Sequence, residues 1–141
     1  MNKYELTGDE NVKERIFKQY TSKEELIGSE IDKYIFEHLG NIKINLPVTD
    51  CIGYKIGNSE KFASLTIKNK HSLILHIGEK QEMLGTKLQE EIDEILGGKF
   101  PRTQTDNNKY SHQAFIKLEW VNDIEQIKHF ISKAYDHRKQ K

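Results

Sequence analysis

The sequence predicts an α+β domain in which helices pack on one face of a largely antiparallel sheet. Two changes of hydrophobic period carry that prediction. Residues 22–40 repeat apolar side chains at helical spacing, residues 42–77 alternate them with a period of two, and helical spacing returns at 86–96. Two turn signals inside the alternating stretch describe a meander, and no helix-length segment separates its runs.

The first twenty residues are polar, with Val12, Ile16 and Phe17 at helical spacing and Tyr4 and Leu6 at strand spacing. They read as an N-terminal extension, residues 1–20, ahead of a single domain at 21–141. Thr21 with Glu24 and Ser22 with Glu25 fit capping boxes, so a brief helical turn opens there and Gly28 is expected to end it. Ser29 then caps a second helix, with Ile31, Ile35 and Leu39 on one stripe, closed by Gly40 and Asn41.

Ile42, Ile44 and Leu46 alternate with Lys43 and Asn45, and Ile52, Tyr54 and Ile56 alternate with Gly53 and Lys55. After a turn at Gly57 and Asn58, alternation sends Ala63, Leu65 and Ile67 one way and Phe62, Ser64 and Thr66 the other. The segment KNKH turns the chain into the strand at residues 72–77. Thr86 with Gln89 opens a helix whose stripe is Leu88, Ile92, Ile95 and Leu96, ended by Gly97 and Gly98. The stretch KFPRTQTDNNKYSH reads as a loop. Ala114, Ile116, Leu118 and Trp120 form a last strand, and Asn122 with Glu125 caps a final helix through Tyr135.

Composition limits function. Twenty-two basic and 22 acidic side chains give zero formal charge, which excludes a uniformly basic nucleic-acid coat. There is no apolar run of membrane-spanning length and no signal-like N-terminus, so a cytoplasmic protein without membrane partners is expected. Cys51 is the single cysteine and reads as a small packed hydrophobe, since a nucleophile would need a neighbouring base such as His76. His71 and His76 are five apart and would face opposite sides of one strand, so no metal site is expected, nor any cofactor. GGK at 97–99 lacks phosphate-loop spacing and follows a helix, so it reads as a helix end. No catalytic motif is present.

Charge resolved by segment is more informative. Residues 1–40 carry six basic and nine acidic groups, net −3, and residues 41–80 carry six and three, net +3. Residues 81–98 carry one and five, net −4, and residues 99–141 carry nine and five, net +4. The meander and the C-terminal unit are therefore basic. Tyr54, Lys55, Lys61, Phe62, Lys68, Lys70 and His76 are the expected ligand-binding residues of a basic sheet face with aromatic groups, suited to a nucleotide-like ligand or a nucleic-acid strand. Arg102, one of three arginines beside 19 lysines, is the expected anion contact in the 99–113 loop, because a guanidinium fork suits phosphate. The competing reading of the strand lysines is protection of sheet edges.

The runs YTSKEELIGS, PVTDCIGYKIGNSEKFASLTIKNKHSLILHI and FISKAYD, in that order, resemble the uncharacterised DUF5655 domain family over about residues 20–138. In place of the family's glycine-rich stretch before the last strand, this chain has TQTDNNKYSHQ. The resemblance implies an accessory module, found alone or behind nuclease-like domains in bacterial and phage proteins, with some relatives labelled predicted transport proteins. Two functions follow as expectations. One is a non-catalytic binding module for a nucleotide or nucleic acid, in phage or bacterial defence. The other is a protein-interaction or homodimerising subunit using the acidic helix 87–96 or exposed aromatics. A small enzyme built on Cys51 or His76 ranks behind both.

Overall fold

The computed structural model of the chain describes residues 10–46, 49–68 and 71–139. In chain order they form α1 (Glu10–Phe17), α2 (Ser22–His38), β1 (Ile42–Asn45), β2 (Cys51–Ile56), β3 (Lys61–Thr66), β4 (Ser72–His76), α3 (Leu84–Leu96), α4 (Gln104–Lys109), β5 (Gln113–Lys117) and α5 (Lys128–Lys139). The five strands make one antiparallel sheet in the order β1-β2-β3-β4-β5, so the fold is α+β as the periodicity predicts.

Register divides the sheet into two unlike faces. Ile44, Tyr54, Ala63, Leu75 and Ala114 pair across one row, and Ile52, Leu65, Leu73 and Ile116 across another. This apolar face packs against Ile16 and Phe17 of α1, Ile27, Ile31 and Ile35 of α2, and Phe130, Ile131 and Ala134 of α5. The N-terminal stretch read as an extension thus contributes, from residue 10 on, to the same core as the rest.

On the other face stand Lys43, Lys55, Lys61, Ser64, Thr66, Ile74, His76 and Lys117, with Gly53 between them. Gly53 has a steric reason. A Cβ there would lie 2.6 Å from Cδ of Lys61, whose stem crosses it.

The two edges of the sheet differ. Along β5, the Gln89 amide of α3 donates to the Phe115 carbonyl (2.9 Å) and accepts from the Phe115 N–H (2.7 Å), as a sixth strand would. Gly85 lets α3 approach, since a Cβ there would collide with the Gln113 backbone. Residues 99–112 then fold over the outer face of β5, with the Phe100 and Tyr110 rings on Phe115.

Several sequence expectations need correction. Gly28 does not end a helix: α2 runs unbroken from Ser22 to His38, capped by the Thr21–Glu24 box. Gly28 is there because a Cβ would come within 2.8 Å of the Phe17 ring. The 99–112 loop contains α4, opened by a capping box of Thr103 and Asp106. Trp120 belongs to a 3-10 turn, Leu118–Trp120, beyond the end of β5. The turn before α5 is capped by Asp123 with Gln126, not by Asn122.

One buried ionic contact joins three elements. Lys13 of α1 and Asp32 of α2 are both fully buried, with the ammonium nitrogen 2.7 Å from Asp32 Oδ1 and 2.9 Å from Oδ2. Tyr54 of β2 donates its hydroxyl to Asp32 Oδ1 at 2.8 Å, and the Lys13 ammonium sits 4.4 Å from the centre of the Phe36 ring. Breaking a buried pair leaves a charge uncompensated, which costs about 3–5 kcal/mol, whereas an apolar replacement of both partners is often neutral. In urea denaturation, Asp32→Leu alone is therefore expected to lose about that much stability, and Lys13→Met with Asp32→Leu to recover most of it. Equal losses in the single and double variants would contradict this role.

Candidate functional site

The residues expected to form a binding face separate into four groups. Tyr54 and Phe62 are fully buried on the apolar side and drop out as ligand contacts. For Tyr54, plain alternation already places it with Ile52 and Ile56, and burial beside Asp32 pushes its phenol well above the usual value. For Phe62 the cause is a bulge. Tyr54 pairs with Ala63 but Lys55 pairs with Lys61, so Phe62 is the unpaired extra residue and turns inward onto the Tyr135 ring at 5.4 Å. The same slip returns Lys61 to the side of Lys55.

Arg102 lines a separate cavity of about 210 Å³ with Lys99, Gln89 and Asp93 and keeps a buried Nε without a partner among the described residues, but its terminal nitrogens are taken up within the protein. Its guanidinium donates to Gln89 Oε1 at 3.1 Å and to the carbonyls of Gln113 at 2.8 Å and Tyr110 at 2.9 Å, and it lies 5.1 Å from the centre of the Phe115 ring. Burial lowers its pKa from the ordinary arginine value. The fork that suits phosphate is used here on backbone carbonyls that close the edge of β5. Lys68 forms a surface pair with Asp50 at 2.9 Å, at the far end of the β2–β3 ladder. Lys70 lies outside the described residues.

Lys55, Lys61 and His76 remain together on the polar face, and the last two line a cavity of about 250 Å³ with Glu60, Gly78, Glu79, His112 and Arg138. Its elements come from four places in the chain: the start of β3, the end of β4, the residue before β5 and the C-terminal turn of α5. Arg138 is missing from the sequence-derived set because α5 packs on the opposite face and reaches this site only at its end. Its scarcity among lysines was the one signal available.

The cavity is polarised. Glu60 reaches Arg138 at 3.4 Å, but its side chain is 88% exposed against 16% for Arg138. Glu79 is also exposed. The carboxylates thus stand at the rim, while Lys61, Arg138 and two imidazoles stand further in. Two polar atoms on these lining residues, Arg138 Nε and His112 Nδ1, are buried and have no hydrogen-bond partner among the described residues.

His76 registers this field. Burial, then the charges of Lys61 and Arg138 and the neighbouring His112, hold its pKa down to about 3. His112 is lowered as well, by burial and Lys80. His76 Nε2 lies 3.3 Å from Ser64 Oγ, yet a base this weak does not activate a serine hydroxyl at neutral pH, and Ser64 is itself buried. Nor does His76 serve Cys51. Cys51 pairs with Thr66, in the row that continues to Ser72, four residues along β4 from His76. Four residues separate the rows by about 13 Å. Among the described residues no three His, Cys, Asp or Glu side chains converge on a metal position. No helix among them is long and apolar enough to cross a membrane.

In comparisons with family models, curated proteins and solved structures, nothing matches this chain. The resemblance to the DUF5655 family therefore stands on the motifs alone.

The His76 shift has a measurable sign. An imidazole with a folded pKa near 3 and an unfolded value near 6.5 binds its proton only in the unfolded chain between those limits. Its contribution to stability is thus complete above about pH 6.5 and lost progressively as pH falls toward 3. Urea midpoints measured from pH 7 to pH 5, above the range where carboxylates titrate, are expected to fall. His76→Gln should flatten that dependence and leave a smaller slope from His112. An unchanged slope in the variant would refute the assignment.

Proposed function

We propose that this protein is a non-catalytic binding module for a phosphate-bearing, nucleotide-like ligand, held in the cavity of Lys61, His76, His112 and Arg138. The observation that supports this is the inward convergence of cationic and N–H-bearing groups, with buried nitrogens of Arg138 and His112 unpartnered and carboxylates kept to the rim. Arg138 supplies the planar fork and Lys61 the point charge that such oxygens require.

Size favours a small ligand group over an enclosed molecule. About 250 Å³ is below the usual range for a site that swallows a whole drug-sized ligand, so the cavity takes the phosphate end. The remainder of the ligand lies out over the polar face toward Lys55 and Lys43, which continue the positive charge across β2 and β1. The nuclease-like partners of the family it resembles point to the same ligand chemistry by analogy. The poor basicity of His76 favours binding over catalysis.

Titration calorimetry at low salt with nucleoside mono-, di- and triphosphates, inorganic phosphate, and single-stranded and duplex oligonucleotides tests this reading. The expected result is binding by at least one phosphate-bearing ligand, weakening as salt is raised. Lys61→Ala and Arg138→Ala are each expected to weaken it about tenfold or more, as loss of a charge-assisted hydrogen bond does. Lys68→Ala, at the far end of the ladder, should leave it unchanged. No binding by any of these ligands would reject the proposal.

A further inference from the structure

The closed edge of β5 has an open counterpart, and its chemistry names what pairs with it. The Gly57 N–H donates to the Asn41 carbonyl at 2.8 Å, which fixes the hydrogen-bonding phase of the first ladder. Residues 41, 43 and 45 exchange their backbone bonds with β2, so the N–H and C=O groups of Ile42, Ile44 and Leu46 point away from the sheet. Among the described residues, no hydrogen bond reaches these outward groups. At β5, by contrast, Gln89, Arg102 and the Tyr110 carbonyl satisfy the outward groups of Gln113 and Phe115.

Side chains along β1 add a preference. Leu46 is 57% exposed, and Ile42 and Ile44, on the same face as Leu46, are half-buried. Lys43 and Asn45 stand on the opposite face. We propose that β1 pairs antiparallel with β1 of a second copy, centred on Ile44 against Ile44. In this register the exposed Leu46 of each copy lies against Ile42 of the other, and Lys43 lies opposite Asn45. Shifting the centre to Lys43 would set two lysines directly opposite and leave Leu46 uncovered, which is destabilising on both counts. The chosen register uses the outward N–H and C=O of all three residues. Its two-fold axis runs through the sheet, so apolar face continues apolar face and the lysine-bearing faces lie side by side.

Lys43 does not close this edge, because its side chain stands perpendicular to the sheet and meets an amide across the junction. The interface is a short ladder with a small apolar contact, so the pair is concentration-dependent and not obligate. This surface differs from the acidic helix and exposed aromatics that the sequence offered. It stands independently of the ligand cavity.

Cross-linking tests the register. In a Cys51→Ser background, Ile42→Cys with Leu46→Cys is expected to form a disulfide-linked dimer on mild oxidation. Paired residues across a ladder lie about 5.5 Å apart, within disulfide reach, whereas positions 42 and 46 of one strand are about 13 Å apart and cannot bridge internally. Lys43→Cys in the same background should remain uncross-linked. A dimer from Lys43→Cys without one from the 42/46 pair would overturn the register. Sedimentation velocity on the unmodified chain up to several hundred micromolar should show a monomer–dimer equilibrium that Leu46→Lys abolishes with its circular dichroism unchanged. A strict monomer throughout, or a dimer that survives Leu46→Lys, would overturn the proposal itself.

Discussion

The carboxylate of Asp32 is the contact around which the helical layer is organised. It holds the Lys13 ammonium on one side and the Tyr54 hydroxyl on the other, so one group couples α1, α2 and β2 without access to water. Such a contact suits a chain in which 31% of residues are charged and 35% are hydrophobic. With little apolar surface to spare, orientation is set by a few buried polar links. Tyr20 donating to the Thr66 carbonyl and Glu24 bonded to His71 fix the other end of α2 to the β3–β4 turn. Burial works to raise the Glu24 pKa, but hydrogen bonds from the Thr21 N–H and His71 hold it below the usual value. It is therefore a carboxylate at neutral pH and serves both its cap and its histidine.

The parts of this architecture that depend on neighbours in sequence could be read from sequence. Alternation in Ile42–Leu46, Ile52–Ile56 and residues 72–77 gave the meander, and the Thr21–Glu24 box gave the start of α2. What escaped depends on distant residues. Gly28 looked like a helix stop because its reason, the Phe17 ring, comes from another helix. Phe62 looked outward-facing because a one-residue bulge in β3 is invisible to a period of two. Arg102 looked like a free anion contact because its partners are backbone carbonyls, which every residue possesses. α4 is the exception. Its Thr103–Asp106 cap was present in the text of the sequence but lay among turn formers without an apolar stripe.

The site repeats this division on a smaller scale. His76 was placed on the polar face by alternation, whereas Lys61 was placed there by its charge and reaches it only through the bulge. His112 and Arg138 were not placed there, because they enter from the residue before β5 and from a helix on the other side of the sheet. The cavity draws its cations, Lys61 and Arg138, from the two stretches with net charges of +3 and +4. Arg102 and Arg138 show why residue type alone does not assign a role. Both line a cavity and keep a buried Nε without a partner among the described residues, but the terminal nitrogens of the first donate to carbonyls at the strand edge, whereas the second faces an exposed carboxylate.

The Gln89 amide has a meaning beyond holding α3 in place. A sheet with two open edges can add neighbours without limit, and fibres grow by that arithmetic. Gln89 fills the outward backbone groups of Phe115, and Arg102 and the Tyr110 carbonyl fill those of Gln113, so that among the described residues β1 is the edge left open. Edge-to-edge association of a univalent unit terminates at a pair. Side chains that close one strand edge thereby separate a sheet that could join once from one that could propagate.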